Sequence, residues 1–579
     1  MASLLCTLWS FLALSCLLAP GSHARVLLQG PSPPLSPHGP IRPDGEQFPL
    51  ATSQSKQTLR DLVNALDVMQ DSYFELWQGT WPTGNDWTRA VHGTHVSATL
   101  SSLTGATDDA LLATMLGDNP GDREELVTQH SVALENLVSH FFTHVQAFYF
   151  GEHDFALRNQ AFDDMLWVVL DWLESIKFGV LHSDLHYGGA TSRTGGRPWH
   201  GTQLRTPAAH RVRVFYELAS QGWDTFLCGG GMIWSPYLGP YKNAITNELY
   251  ISASIAMYLY YPGDRIDAPF VAGEGESADG LQHDPLYLST AEKAYRWLKN
   301  SNMTGIFNLY GDGFHIRGYQ NRQNPGTRKC DVLNTMVYTY NQGVILSGLK
   351  GLWLATGSEE YLHDGHELLQ NVMRATGWPN IYDQRWKGLG RAGILEDACD
   401  SHGDCSQDGQ NFKGIFFHHF TEFCRPLRPQ ELRFLRTQPW AKARGWERSF
   451  EWHQAWCSTY RPWIERNAEA ALVTRNEEGK FGMWWGRRYR VFDESTTHDS
   501  PLPDGATDYR NHPDSIPPYW DKNDTAMAHE LGATNALNDQ PEYNDRGRGR
   551  TVETQAGGVA VLRALYQWKT APSLSGDFI

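Results

Sequence analysis

The 579-residue sequence has no excess of basic charge. Its 49 lysines and arginines are outnumbered by 65 aspartates and glutamates, which gives a formal net charge of -16. Nucleic acid or an anionic membrane would require a concentrated basic surface, and the sequence shows no basic cluster of that kind. We therefore exclude a polyanionic partner and expect the ligand to be neutral or cationic.

Metal-binding spacings and long apolar runs are also missing. No Cys-x-x-Cys or His-Glu-x-x-His pattern occurs, which argues against a zinc site. Beyond the first 24 residues, no run approaches the roughly 20 apolar residues of a membrane span, and the tail at 570–579 is polar. We expect no cofactor, no metal, no membrane anchor and a monomeric protein.

Only eight cysteines are present. Residues 1–24 are typical of a secretory signal peptide, because residues 4–18 are apolar and Ser22-His23-Ala24 offers a small-x-small cleavage site. Cleavage removes two cysteines and leaves an even set that an oxidising compartment could pair. Cys399 and Cys405 bracket a short polar loop and are predicted to form a disulfide. The remaining four are Cys228, Cys330, Cys424 and Cys457.

Two glycosylation sequons, at Asn302 and Asn523, fit the same compartment. We expect a secreted glycoprotein that is extracellular or associated with a cell wall. Residues 25–52 are rich in Pro and Ser and hold too little apolar surface to fold, which predicts a disordered leader. A single catalytic domain is expected over 53–579.

Strand-like alternation is scarce in that domain, and helical periodicity dominates. Apolar residues at helical spacing predict a series of helices joined as hairpins. The predicted helices are 56–77, 87–103, 126–150, 159–174, 242–261, 290–299, 333–355, 360–376, 412–423, 463–474 and 552–568.

Two adjacent aspartates, Asp163 and Asp164, begin the helix whose continuous apolar run predicts burial on most sides. Neighbouring residues on a helix point roughly 100° apart, so both carboxylates can face one cleft. A close pair of carboxylates can divide into an ionised nucleophile and a protonated donor, as a retaining glycosidase needs. The alternative is that one aspartate caps the helix, the commonest role for Asp at a helix start.

One member of each predicted hairpin begins with polar side chains that a plain helical bundle would not place there. Helix starts that converge on one mouth would form a polar funnel, as in an α/α toroid. For any single Asn or Gln, a local hydrogen bond is the alternative role. The polar starts are Asp163 and Asp164, Asn243 and Asn247, Tyr340, Asn341 and Gln342, Lys413, Asn467, and Glu553 and Gln555.

Six motifs in order carry a resemblance that covers about residues 56 to 568. Together they are similar to glycoside hydrolase family 76, whose members are endo-α-1,6-mannanases with an all-α, (α/α)6 barrel fold. The motifs are Phe162-Asp-Asp-Met-Leu-Trp167, Gly229-Gly-Gly-Met-Ile-Trp234, Lys242-Asn-Ala-Ile-Thr-Asn247, Thr339-Tyr-Asn-Gln-Gly343, Ala355-Thr-Gly and Phe412-Lys-Gly-Ile-Phe416.

The resemblance implies that Asp163 is the nucleophile and Asp164 the acid/base of an enzyme acting on α-mannan or a related cell-wall polysaccharide. It also places Trp87 and Trp167 near the cleft. We expect substrate contacts from aromatic and polar residues at the mouth, namely Trp87, Trp167, Trp234, Asn243, Asn247, Tyr340, Asn341, Gln342, Lys413, Glu553 and Gln555.

The chain departs from the compact bacterial pattern in three long segments that are predicted to be loop insertions, 178–215, 425–455 and 485–550. Met232-Ile233 also stand where a second tryptophan is common beside Trp234. Fungal relatives include cell-wall transglycosidases that usually carry a C-terminal lipid-anchor signal. That signal is missing here, so a freely secreted hydrolase is favoured over a transglycosidase.

Two alternatives come from other classes. A non-catalytic glycan-binding toroid would keep the aromatic cleft, but both aspartates are intact. A sugar isomerase of the same barrel type would use histidines as acid and base. The candidate histidines are His182, His186, His418 and His419.

Overall fold

The computed structural model describes residues 53–106, 120–147, 160–188, 197–264, 266, 281–486, 500–511 and 542–571. The predicted signal peptide, the leader at 25–52 and the sequon at Asn523 lie outside these residues. Asn302 lies within them and is exposed. In the part of the chain that is described, no helix is both long and apolar enough to cross a membrane.

Fifteen α-helices account for most of the described chain. They are α1 (Ser53–Tyr73), α2 (Asp86–Ala106), α3 (Pro120–Ala147), α4 (Phe162–His186), α5 (Arg205–Ser220), α6 (Ala244–Tyr260), α7 (Pro285–Asn300), α8 (Val344–Thr356), α9 (Glu360–Ala375), α10 (Gln407–Cys424), α11 (Pro429–Thr437), α12 (Pro439–Arg444), α13 (Trp446–Thr459), α14 (Arg461–Val473) and α15 (Val552–Thr570).

Six of these helices form a closed inner ring. In the order α2, α4, α6, α8, α10 and α15, each packs against the next, and α15 packs back against α2. Each inner helix follows an outer helix along the chain, and the outer helices are α1, α3, α5, α7, α9 and α14. The described helices therefore form the predicted (α/α)6 barrel.

The ring explains why the inner helices are apolar on almost every side. An inner helix contacts two ring neighbours and an outer helix, so little of its surface reaches solvent. Every residue of α10 except Asp408 is buried, and α15 is buried at all but three positions. The outer helix α9 instead has one buried face, which includes Leu362, Leu369 and Val372.

Local sequence signals set several helix ends. The side chain of Asp284 caps α7 by accepting the Leu286 N–H, and Pro285 occupies the first turn, where no N–H partner is needed. Ser406 caps α10 in the same way through the Gly409 N–H. Helix α8 ends at Gly357, which adopts φ 70°, a conformation that glycine accepts without a steric penalty.

Five short strands lie between the helices. Strand β1 (Lys242–Asn243), β2 (Gly313–His315) and β3 (Val332–Asn334) form an antiparallel sheet, with Lys242 opposite Phe314 and Phe314 opposite Leu333. A second pair, β4 (Gly390–Arg391) and β5 (Ile394–Leu395), is also antiparallel. All five occur in connections that run from an outer helix to the next inner helix.

One helix prediction and two loop predictions were wrong. The region 333–355 is not one helix, because β3 and a 3-10 turn at Tyr340–Gln342 precede α8. The segment 178–215 is not a loop insertion, because α4 continues to His186 and α5 begins at Arg205. The buried face of α5 repeats at helical spacing, with Ala208, Val212, Phe215 and Ala219, so the signal was present among its arginines. The segment 425–455 likewise contains helices α11, α12 and most of α13.

The pairing of Cys399 with Cys405 is confirmed. The other two disulfides join Cys228 to Cys330 and Cys424 to Cys457. The first links two connections on the mouth side of the ring, and the second ties the end of α10 to α13.

Candidate active site

The first turns of the inner helices meet at one end of the ring, which we call the mouth. The carboxylate of Glu553, at the start of α15, accepts the Thr88 hydroxyl of α2 at 3.1 Å and the Gln407 amide of α10 at 2.9 Å. The Phe162 N–H at the start of α4 donates to the Trp234 carbonyl in the connection before α6. These contacts hold the first turns of α2, α10 and α15 together and join the start of α4 to the connection before α6.

Asp163 and Asp164 are the second and third residues of α4, and neither is its capping residue. That position belongs to Ala161, which has no side chain able to accept a hydrogen bond. One carboxylate oxygen of Asp163 accepts the Asp164 N–H at 3.1 Å. The helix N-terminus also favours negative charge here. Helix capping alone therefore does not account for the pair.

The two carboxyl groups lie in different electrostatic surroundings. Burial raises the pKa of Asp163, but the Arg510 charge and the Asp164 amide partly counteract that rise. Burial also raises the pKa of Asp164, and the negative charges of Asp163 and Asp408 push it well above its usual range. The site thus favours an ionised Asp163 beside a protonated Asp164.

Arg510 was not identified from the sequence. Its guanidinium lies 3.8 Å from an Asp163 carboxylate oxygen and 3.6 Å from an Asp408 carboxylate oxygen. It also lies over the Trp234 ring, 4.9 Å from the ring centroid. No periodic pattern marks Arg510, because it sits in a connection and its partners are distant in sequence.

Trp167 lies one turn after Asp163 and Asp164 on α4, and Trp87 packs against it. Their rings stack with centroids 5.6 Å apart, and Trp87 remains partly exposed. The Trp87 indole N–H donates to Asp408 at 3.1 Å, and the Asn85 amide donates to the same oxygen at 3.0 Å. Asp408 at the start of α10 therefore connects the tryptophan pair to Arg510.

Tyr340 forms another part of the mouth. Its ring stacks on Phe412 at 3.9 Å, and its hydroxyl is buried. Burial raises the pKa of Tyr340, and the nearby Arg510 charge opposes the shift. Asn341 follows in the same turn and is fully buried near Asp312.

Several predicted binding residues use their polar atoms inside the protein. Asn247 accepts the Met232 N–H and donates to the Met232 and Asn243 carbonyls. Gln342 accepts the Tyr310 N–H at 2.9 Å. For these residues, as for Asn243 at the start of α6, a sugar contact stays a prediction.

Two polar residues at the start of α15 also bond to other parts of the protein. Gln555 accepts the Phe481 N–H and donates to the Ala65 carbonyl. Glu553 bonds to helix starts as described above, and His92 lies 3.6 Å away. Asn467 lies in the middle of the outer helix α14 and bonds to Gly393 and Leu395 at the β4–β5 hairpin, so the prediction that it begins a helix at the mouth was wrong.

Lys413, one of the expected substrate contacts, uses its charge inside the protein. The Lys413 ammonium is buried and paired with Asp400 at 2.6 Å, so its charge is compensated locally. Two other acids near the start of α10, Asp397 and Asp408, have different partners. Asp397 accepts the Thr339 N–H and hydroxyl, whereas Asp408 faces Trp87 and Arg510.

The candidate histidines of an isomerase lie away from the mouth. His182 follows Asp164 by eighteen residues along α4, which corresponds to roughly 27 Å along the helix axis. It bonds to Thr104 and Glu135. His418 bonds to Arg563, and His419 bonds to Ser347. His186 contacts Thr104 at the same end as His182. These positions disfavour the isomerase alternative.

The model of "Glycosyl hydrolase family 76" matches residues 209–449, a region that begins after Asp163 and Asp164. The mannan endo-1,6-alpha-mannosidase DCW1 of Candida glabrata is 26% identical over 243 residues, 40% of this chain and 44% of that protein. DCW1 of Saccharomyces cerevisiae is 26% identical over 211 residues, 35% of this chain and 36% of that protein. The matches thus span less than half of these relatives' lengths.

Among solved structures, the GH76A alpha-1,6-mannanase of Salegentibacter sp. HEL1_6 aligns with a TM-score of 0.45 and 17% identity. The alignment covers 88% of this chain and 98% of that one. The fold assignment rests on the helix contacts described above.

Proposed function

We propose that the chain is a glycoside hydrolase of family 76, which its matches support, and that it cleaves internal α-1,6-mannosidic linkages of mannan with retention of configuration. The observation that carries the proposal is the adjacent carboxyl pair at the mouth, of which Asp163 lies 3.8 Å from the Arg510 guanidinium. Two neighbouring carboxyl groups in different protonation states suit double displacement.

In the first step, an Asp163 carboxylate oxygen would form a bond to the anomeric carbon while the glycosidic C–O bond breaks. Asp164 would give its proton to the departing sugar oxygen. In the second step, water would transfer a proton to Asp164 as its oxygen attacks the anomeric carbon, which releases Asp163. The first step leaves Asp163 esterified and Asp164 deprotonated, and the second step restores both carboxyls, so the cycle balances.

We further propose that the chain is secreted, acts outside the cell or at a cell wall, and works as a monomer. Three disulfides among the described residues suit an oxidising compartment. The exposed Asn302 suits glycosylation.

The test is incubation with unbranched α-1,6-mannan, followed by product sizing and proton NMR. We expect internal cleavage, and the first anomeric signal should be that of the α product, because adjacent carboxylates favour retention. Early β product would contradict the mechanism. Products longer than the substrate would instead identify a transglycosidase of the same fold, and binding without turnover would identify a glycan-binding toroid.

Initial rates on this mannan are expected to be unchanged by EDTA. The two groups of three potential ligands found among the described residues each include a cysteine that is held in a disulfide. Asp397, Asp400 and Asp408 contact different partners, and the carboxyl pair supplies both nucleophile and proton donor. A rate that collapses with EDTA and returns with Ca²⁺ would contradict this prediction. A lower melting temperature alone would indicate a structural ion.

A further inference from the structure

Arg510 is held between two carboxylates that come from different inner helices. Asp163 belongs to the first turn of α4, and Asp408 belongs to the first turn of α10. The guanidinium is within 4 Å of both, and 17% of its side chain is exposed. An opposite charge at such a distance strongly favours the ionised form of a carboxylate when water is largely excluded.

The connection that carries Arg510 is fixed at several points. The Asp508 carboxylate accepts the Arg510 and Asn511 N–H groups and the Tyr338 hydroxyl. The Asn511 side-chain oxygen then accepts the Ser406 N–H, just before α10. With the Trp234 ring beneath it, the guanidinium has little freedom to leave the two carboxylates.

The charges around the aspartate pair are unevenly placed. Arg510 lies 3.8 Å from Asp163. The Arg510 charge also lowers the pKa of Asp164, but the negative charges of Asp163, Asp408 and Asp86 oppose that effect. Two further titratable groups, Asp312 and Tyr340, are near enough to interact with Arg510. The two neighbouring carboxyls therefore differ in the balance of charge around them, because Asp163 has an ion pair with Arg510 and Asp164 faces the negative charge of Asp163.

We propose that Arg510 is a positioning residue that assigns the ionised, nucleophilic role to Asp163, while Asp408 limits this effect by sharing the guanidinium and helps to keep the proton on Asp164. The inference rests on the proposed function and extends it to two residues that do not themselves react. It predicts that removing the Arg510 charge and removing the Asp408 charge shift the pH profile in opposite directions. A merely structural role would not produce opposite effects.

The first test is the pH dependence of kcat/KM on α-1,6-mannan. Removal of the cation in Arg510→Gln should raise the pKa of Asp163 and move the acid limb to higher pH by about one unit or more. Asp408→Asn should move both limbs to lower pH, because it removes a negative charge and leaves Arg510 to Asp163 alone. Arg510→Lys should restore part of the acid limb, since it keeps the charge but loses the planar fork.

Arg433→Gln is the matched control. Arg433 also pairs with an aspartate, Asp184, at 2.6 Å, but on the exposed surface. Its pH profile should match that of the wild type. The proposal is overturned if Arg510→Gln and Asp408→Asn, folded as judged by circular dichroism, leave both limbs within about 0.2 pH units of the wild type or move them in the same direction.

A second measurement does not depend on the substrate. Carboxyl ¹³C NMR of protein labelled at aspartate, with the Asp163 signal identified by its loss in Asp163→Asn, follows that carboxyl directly. Its titration midpoint should rise in Arg510→Gln and fall in Asp408→Asn. If the wild type fails to cleave α-1,6-mannan but these shifts occur, the proposed substrate is wrong and the role of Arg510 stands. Unchanged midpoints in an active enzyme would refute the role of Arg510 alone.

Discussion

Asp163→Asn and Asp164→Asn are each expected to lower kcat/KM on unbranched α-1,6-mannan by about 10³-fold or more. The first change removes the nucleophile and the second removes the proton donor. Both residues lie in the first turn of α4 at the mouth, so each isosteric change should leave the packing of the helix intact. Steady-state kinetics with product sizing measures the loss.

The two variants should differ on a substrate that needs no proton. An α-1,6-mannobioside with a dinitrophenyl leaving group departs without acid assistance, so Asp164→Asn should release it far faster than Asp163→Asn does. The matched control is Asp171→Asn, because Asp171 is fully buried on the same helix but lies about two turns further from the mouth. That variant should keep wild-type kinetics. Near-normal activity in either catalytic variant would contradict the paired-carboxylate mechanism.

Glu422→Gln is expected to reduce the free energy of unfolding by about 3–5 kcal/mol. Glu422 is buried near the end of α10 and faces four cations. Its carboxylate is 2.7 Å from Arg425, 3.4 Å from Lys177 and 3.5 Å from Arg428, and it also bonds to Arg563. Neutralising it leaves these buried cations without their shared partner. Urea unfolding followed by circular dichroism measures the loss.

The same substitution should change how stability responds to acid. Burial opposes ionisation of Glu422, but Arg425, Lys177, Arg428 and Arg563 together hold its pKa well below the usual range. A carboxylate with a lowered folded-state pKa contributes stability above its unfolded pKa, and that contribution is lost as pH falls toward the folded value. The wild type should therefore lose this contribution below about pH 4.3. In Glu422→Gln, the free energy of unfolding should lack this part of its dependence on pH.

Glu469→Gln is the control for this experiment, because Glu469 is exposed on the outer helix α14. We expect it to change the free energy of unfolding by no more than about 0.5 kcal/mol. If Glu422→Gln lowers the free energy of unfolding by less than about 1 kcal/mol, the prediction is contradicted, and water or side-chain rearrangement compensates the four cations.

The amino-acid sequence by itself determined the barrel class and the carboxyl pair. Helical periodicity is a local property, and an inner helix that is covered on all sides leaves a continuous apolar run such as that after Asp164. Two adjacent acids at the start of such a run are also visible without any tertiary contact. The disulfide between Cys399 and Cys405 could also be predicted locally, because only a short polar loop separates the two cysteines.

The tertiary structure alone decided which charges surround that pair. Arg510 reaches Asp163 and Asp408 because separate connections fold over the mouth, and no local pattern encodes a contact between residues so distant in sequence. It also showed that Asn467 belongs to an outer helix and that Lys413 is bound to Asp400. A side chain's hydrogen-bonding capacity can be read from its type, but whether a substrate or the protein uses it depends on what folding brings within reach.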